Sequence, residues 1–194
     1  MNVQPIGASE ARDHIEMVDR ILAESHQRLC TGGEYFIVWG LAAALITVTF
    51  QLVDTARIPA GALWAVPFVL ALSALFSVAR GYATRRVLQR SSLVQREFFN
   101  VLWLTLGLAF VANVAAFRLF PGIASAAVWN LAEAVVLLYI GMHGNRRAQI
   151  AGVVVVASLV AANFAPQDVA GYVLAAGMLA GYAGFGLSEL LVGD

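Results

Sequence analysis

Six apolar stretches, near residues 35–53, 61–79, 98–117, 123–142, 148–165 and 169–192, constrain this chain more than any other feature of it. Each approaches the roughly 20 residues that an α-helix needs to cross about 30 Å of hydrocarbon. Six of them leave little of the 194 residues for anything else. The composition agrees: 60% of the residues are apolar, 12% are charged and the mean hydropathy is +0.78, far from the balance of ordinary globular proteins. The expected fold is an all-α membrane protein. Residues 34–194 form a bundle of six transmembrane helices, preceded by a cytoplasmic amphipathic helix within residues 1–33.

The connections fit that reading. Residues 54–60 carry Pro59, Pro121 and Gly122 make a hairpin, residues 143–147 form a short polar turn, and Pro166, Gln167 and Asp168 form another. Only residues 80–97 are long, and their arginines suit a basic helical piece. Tyr35, Trp39, Trp64, Tyr82, Trp103, Tyr139 and Tyr172 fall near segment ends, where interfacial aromatics belong.

All twelve basic residues are arginine, and their distribution orients the chain. With the N-terminus inside, the inner side collects ten: Arg12, Arg20, Arg28, Arg80, Arg85, Arg86, Arg90, Arg96, Arg146 and Arg147. The outer side keeps two, Arg57 and Arg118. That positive-inside bias places both termini in the cytoplasm, most simply of a bacterial inner membrane. The first 33 residues show no basic start followed by an apolar core, so no cleavable signal peptide is expected. Their Ile15, Val18, Leu22 and Leu29 instead recur at helical spacing. Alongside them, Arg12, Glu16, Arg20, Glu24 and Arg28 alternate in charge every four residues, a solvated ladder whose pairs each add about 0.2–0.5 kcal/mol. The apolar stripe needs cover, so a cytoplasmic protein partner or a second copy is the sharper reading of this helix. Gly32 and Gly33 end it.

Polar residues inside the spans are the candidates for chemistry. Glu133 lies about eleven residues in from the Pro121–Gly122 hairpin, or roughly 16 Å at 1.5 Å per residue, near the bilayer centre. An ionised side chain there costs about 2.5–3.5 kcal/mol. Asn130 is one turn away on the same face. Reflection of the fourth span about the hairpin brings Asn113 of the third to the depth of Asn130. Asn113, Asn130 and Glu133 are therefore expected to form one midplane polar cluster. It reads either as a site that binds a proton or a polar solute, or as hydrogen-bonding glue between helices.

In the sixth span Gly177 and Gly181 make a GxxxG pair, with Ala176, Ala180 and Gly184 as a second small-residue ridge. Such ridges let helices approach closely, within the bundle or between two copies. The first and fourth spans share Val38, Trp39, Leu41, Ala42 and Ala44 with Val128, Trp129, Leu131, Ala132 and Ala134. Inverted repeats of transporters arise in this way, but shared apolar composition is the simpler explanation.

Several classes are disfavoured. A single cysteine, Cys30, rules out an intrachain disulfide framework and any CxxC motif. His26 and Cys30 share a helical face, but two ligands do not complete a metal site. Gly184-Phe185-Gly186 lacks the third glycine of a dinucleotide fingerprint and sits in an apolar helix. No HExxH, GxSxG or Walker lysine occurs, and no histidine lies within a span. No enzyme activity, cofactor, metal or nucleic-acid partner is expected. Two functional readings stand: a small transporter or channel with its site at Glu133, and a membrane-anchored regulatory or interaction protein acting through its N-terminal helix.

Overall fold

The computed structural model describes residues 32–84, 93–115 and 122–192, and all of its regular structure is helical, with no strand among the described residues. The chain enters α1, Gly33–Asp54, from Gly32, whose φ of 62° lies in the left-handed region. Glu34 complements the dipole in the first turn. After Pro59 a short 3-10 turn, Ala60–Trp64, leads into α2, Ala65–Thr84. Then come α3, Leu93–Ala115, and α4, Ile123–Met142. Helix α5 spans Arg146–Phe164 and stops ahead of Pro166. The sixth segment is interrupted: α6, Ala170–Met178, passes through a π-helical turn, Leu179–Ala183, into α7, Gly184–Val192.

Five of these helical segments are long and apolar enough to cross a membrane, and α3 contributes a shorter apolar stretch, Asn100–Val114. Large apolar side chains face outward in numbers a water-soluble surface does not tolerate; Trp64 is 82% exposed and Trp103 72%. Two boundaries differ from the sequence expectation. Arg146 and Arg147 belong to the first turn of α5 rather than to the preceding turn, because the Asn145 side chain accepts the backbone N–H groups of Arg147 and Ala148, each at 3.1 Å. Helix α2 also continues past residue 79 through Thr84, and Leu93 is already helical, so helix enters the 80–97 stretch from both sides; residues 85–92 lie outside the described residues. The N-terminal helix expected within residues 1–33, with Ile15, Val18, Leu22 and Leu29, lies outside the described residues.

Successive helices run antiparallel. Glu34 at the start of α1 pairs with Arg80 at the end of α2, and the Trp39 indole donates to Ser77 Oγ at 3.0 Å. Ser125 donates to Asn113 across the α3–α4 hairpin. The centre of the bundle is made of α1, α4, α5 and the α6–α7 segment, with α2 leaning on α1 and α3 on α4. Burial follows this order: half of the sixth span's window is buried, against 6% of the window that contains α2.

The core is held by close approach. A Cβ on Gly33 would lie 2.3 Å from the carbonyl oxygen of Gly186, and one on Gly186 would lie 2.4 Å from that of Gly33. Only glycine permits that crossing of α1 with α7. Above it Gly40 meets the backbone of Ala183, and Phe36 packs edge-on against Phe185 at 4.9 Å between centroids. The stretch shared by α1 and α4 marks equivalent packing faces: Gly40, Ala42 and Ala44 are buried, as are Asn130, Ala132 and Ala134, while Leu41 and Leu131 are both exposed.

Two substitutions separate this packing from general helix propensity. Gly186→Val meets backbone atoms of α1 and is expected to destabilise the full chain in detergent by about 1–3 kcal/mol. At Gly107 nothing lies within 4 Å of an added Cβ, so Gly107→Ala is expected to stabilise by about 0.5–1 kcal/mol. Thermal melts followed by far-ultraviolet circular dichroism read both signs.

Candidate functional site

Three polar systems occupy the described bundle, one at each end and one in the middle. At the end where α1 stops, the Gln51 side chain is wholly buried. Its Nε2 donates to the Gln167 carbonyl at 2.8 Å, and its Oε1 accepts the Gly171 N–H at 2.7 Å, which caps the start of α6. One turn on, Asp54 Oδ2 accepts the Ile123 N–H at 3.1 Å and caps the start of α4. A carboxylate at a helix N-terminus satisfies an orphan donor and the dipole together. Gly122 is obligatory beside it, since its φ is 58° and a Cβ would lie 2.1 Å from Asp54 Oδ2.

At the opposite end Asn145, besides capping α5, donates from Nδ2 to Glu189 Oε1 at 3.3 Å. Arg147 Nη1 donates to the Ser188 carbonyl at 3.2 Å, and Arg80 Nη2 to Glu34 Oε1 at 2.8 Å. Every one of these groups has a partner. They are structural ties between helices, and Glu189 belongs among them.

The middle system differs. Asn130 and Glu133 lie on one face of α4, 1% and 6% exposed, and Glu133 is the eleventh residue of a 20-residue helix. That puts it about 15 Å from the helix start. It is buried between helices, far from both ends of its own. Asn130 Nδ2 and Glu133 Oε2 are buried without a hydrogen-bond partner. A donor and an acceptor one turn apart are thus left unpaired, and they do not satisfy each other. Tyr182, from the π-helical turn, is buried alongside, its phenol within electrostatic reach of the Glu133 carboxylate.

Asn113 takes no part in this middle system. Its Nδ2 donates to the Ala109 carbonyl at 2.9 Å and its Oδ1 accepts from Ser125 Oγ. Ser125 precedes Asn130 by five residues, about 7.5 Å along the helix. The Asn113–Ser125 pair sets Asn113 at the level of Ser125, near the start of α4, rather than at the level of Asn130 as the reflection expects. The reflection does not point to Tyr182, which lies within electrostatic reach of Glu133. A signal for Tyr182 exists in the sequence: it is a tyrosine in mid-span, whereas tyrosines of membrane proteins concentrate at the interfaces.

The small-residue ridges of the sixth span divide. Gly177 and Gly181 face α5, where a Cβ would lie 2.3 Å from Ser158 Cβ and 2.6 Å from Val155 Cγ2 respectively. Ala180 is exposed, and a Cβ on Gly184 would meet only Leu179 O at 3.5 Å. The groove lined by Ala124, Ala127 and Leu131 of α4 and Val156 and Val160 of α5 is apolar and lies on the side of α4 away from Glu133. Among the described residues no three histidine, cysteine, aspartate or glutamate side chains come together as metal ligands; His14, His26 and Cys30 lie outside them. No protein family, curated protein or solved structure matches the chain.

The unpaired atoms give opposite signs to the two readings of Glu133. A group that binds helices together is missed when removed, by about 0.6–2 kcal/mol per bond. An orphaned acceptor is better replaced by an apolar group, since leaving it unsatisfied costs about 1–3 kcal/mol. Glu133→Met is therefore expected to raise the thermal stability of the full chain, whereas Asn113→Leu, which breaks the tie to Ser125, is expected to lower it.

Proposed function

We propose that the chain is a six-span protein of the bacterial inner membrane, with both termini cytoplasmic, and that it is a small transporter whose midplane site, Glu133 with Asn130, binds a proton or a small polar solute during passage. The arginine distribution supports the topology, ten inside against two outside. Helix α3 completes the six as the third in order: its 23 residues reach about 34 Å, although only its Asn100–Val114 part is strongly apolar.

One observation carries the functional reading. Buried polar groups in a folded protein are almost always paired, and each exception calls for a reason. Here two exceptions adjoin in mid-membrane, a carboxyl oxygen and a carboxamide N–H, in a bundle that pairs the buried carboxamides of Gln51 and Asn145 on both sides. An arrangement that keeps a donor and an acceptor unpaired between helices is what a transient guest requires. Ionisable residues within spans mark ion and proton pathways for the same reason.

The proton is the ligand to test, because the carboxyl group can carry one without help. Full-length protein in liposomes loaded with a pH-sensitive dye, driven by a potassium diffusion potential, is expected to take up protons faster than protein-free vesicles. Glu133→Gln keeps the shape but cannot titrate, and is expected to bring uptake to the protein-free level. Wild-type uptake in that variant, or no uptake by the wild type, would overturn the proposal.

A further inference from the structure

We propose that Tyr182, carried on the π-helical turn of the sixth span, covers the Glu133–Asn130 site and is the part that moves when the site is loaded. The inference rests on the reading of that site as a binding site, and it assigns its access. Tyr182 is buried, its ring 5.0 Å from that of Phe36 on α1. The turn that carries it packs against α1, α4 and α5. The turn thus stands beside both α1 and α4, with the phenol within electrostatic reach of Glu133.

The backbone beneath Tyr182 has slack nowhere else in the span. On one side α6 is tied by the Gly171 N–H to Gln51 and by the seat of Gly177 on Ser158. On the other, α7 is tied by Gly186 against Gly33, by Glu189 to Asn145 and by the Ser188 carbonyl to Arg147. Between the two anchors, Leu179–Ala183 adopts the π form, which accommodates one residue more than an α-helix and recurs at functional sites. Passing that extra residue along the turn rotates a side chain by about 100°, enough to take the ring off Glu133. Outward of the turn Ala180 is exposed and Gly184 meets no neighbouring helix, while inward Gly181 sits against Val155 of α5 and Ala183 against Gly40 of α1, so a shift of the turn loosens those two seats and the opened form is the minor one.

Access to Glu133 can be read without transport. Dicyclohexylcarbodiimide enters membranes and adds whole to a protonated carboxyl: the carboxyl proton goes to a reagent nitrogen, the oxygen bonds to the central carbon, and the acyl group then migrates to nitrogen. Peptide mass spectrometry of the full chain gives the rate at Glu133, with Glu133→Gln as the blank. A covered site opens as a minor state, about 0.1–10% populated, so Tyr182→Ala is expected to label roughly tenfold faster than wild type or more. Tyr182→Phe, which keeps the ring, is expected to label at the wild-type rate. Deletion of Ala180 removes the extra residue, leaves Tyr182 in register with α7, and is expected to slow labelling. Equal rates in wild type and Tyr182→Ala overturn the cover; if that variant fails to fold, the Ala180 deletion decides, and wild-type labelling in it overturns the proposal. Proton uptake measured on the same preparations keeps the two claims apart. Ordered rates without uptake uphold the cover and remove the transport reading, and unordered rates with normal uptake do the reverse.

Discussion

A hydrocarbon interior offers no partner to a polar group, so every such group must be satisfied by the protein itself or be kept for something that visits. The bundle meets this constraint with economy at both ends. Gln51 and Asp54, one turn apart at the end of α1, supply acceptors to the first N–H groups of two other helices. Asn145 does the same for its own helix and reaches across to Glu189. Against that background the unpaired Asn130 Nδ2 and Glu133 Oε2 stand out as the one place in the described interior where side-chain pairing is left undone.

The geometry around them follows from small residues. Gly33 and Gly186 let α1 and α7 touch backbone to backbone, and Gly177 and Gly181 bring the sixth span onto α5. Contacts this close hold the span from two sides at fixed heights. The π-helical turn lies between the seats at Gly177 and Gly186, with Gly181 itself seated on α5, and it is this turn that carries the buried Tyr182. Packing, a local departure from α geometry and the site are therefore one system: a side chain at Gly181 or Gly186 would disturb all three.

The spans were legible in the sequence because the signal for them, some twenty apolar residues between polar turns, is local. So was Glu133, a carboxylate in the wrong solvent. The first segment's likeness to the fourth also carried information, since its small residues are the buried ones in both helices. What escaped depends on distance along the chain. Gln51 bonds residues 116 and 120 positions away, and nothing near it in sequence announces a cap. Reflection about Pro121 and Gly122 pairs Asn113 with Asn130, yet its partner is Ser125, because two turn residues in the sequence do not fix the register in which two helices pack. Tyr182 sits on a π-helical turn, a local departure from α geometry that leaves no periodicity of its own in the sequence.

The most direct measurement is a high-resolution structure of the full-length protein in a lipid bilayer, with attention to the space between Asn130 and Glu133. Ordered non-protein density within hydrogen-bond distance of both Asn130 Nδ2 and Glu133 Oε2, beneath the ring of Tyr182, is the expected result. A direct hydrogen bond between Asn130 and Glu133, or a Glu133 side chain turned toward lipid, would contradict it.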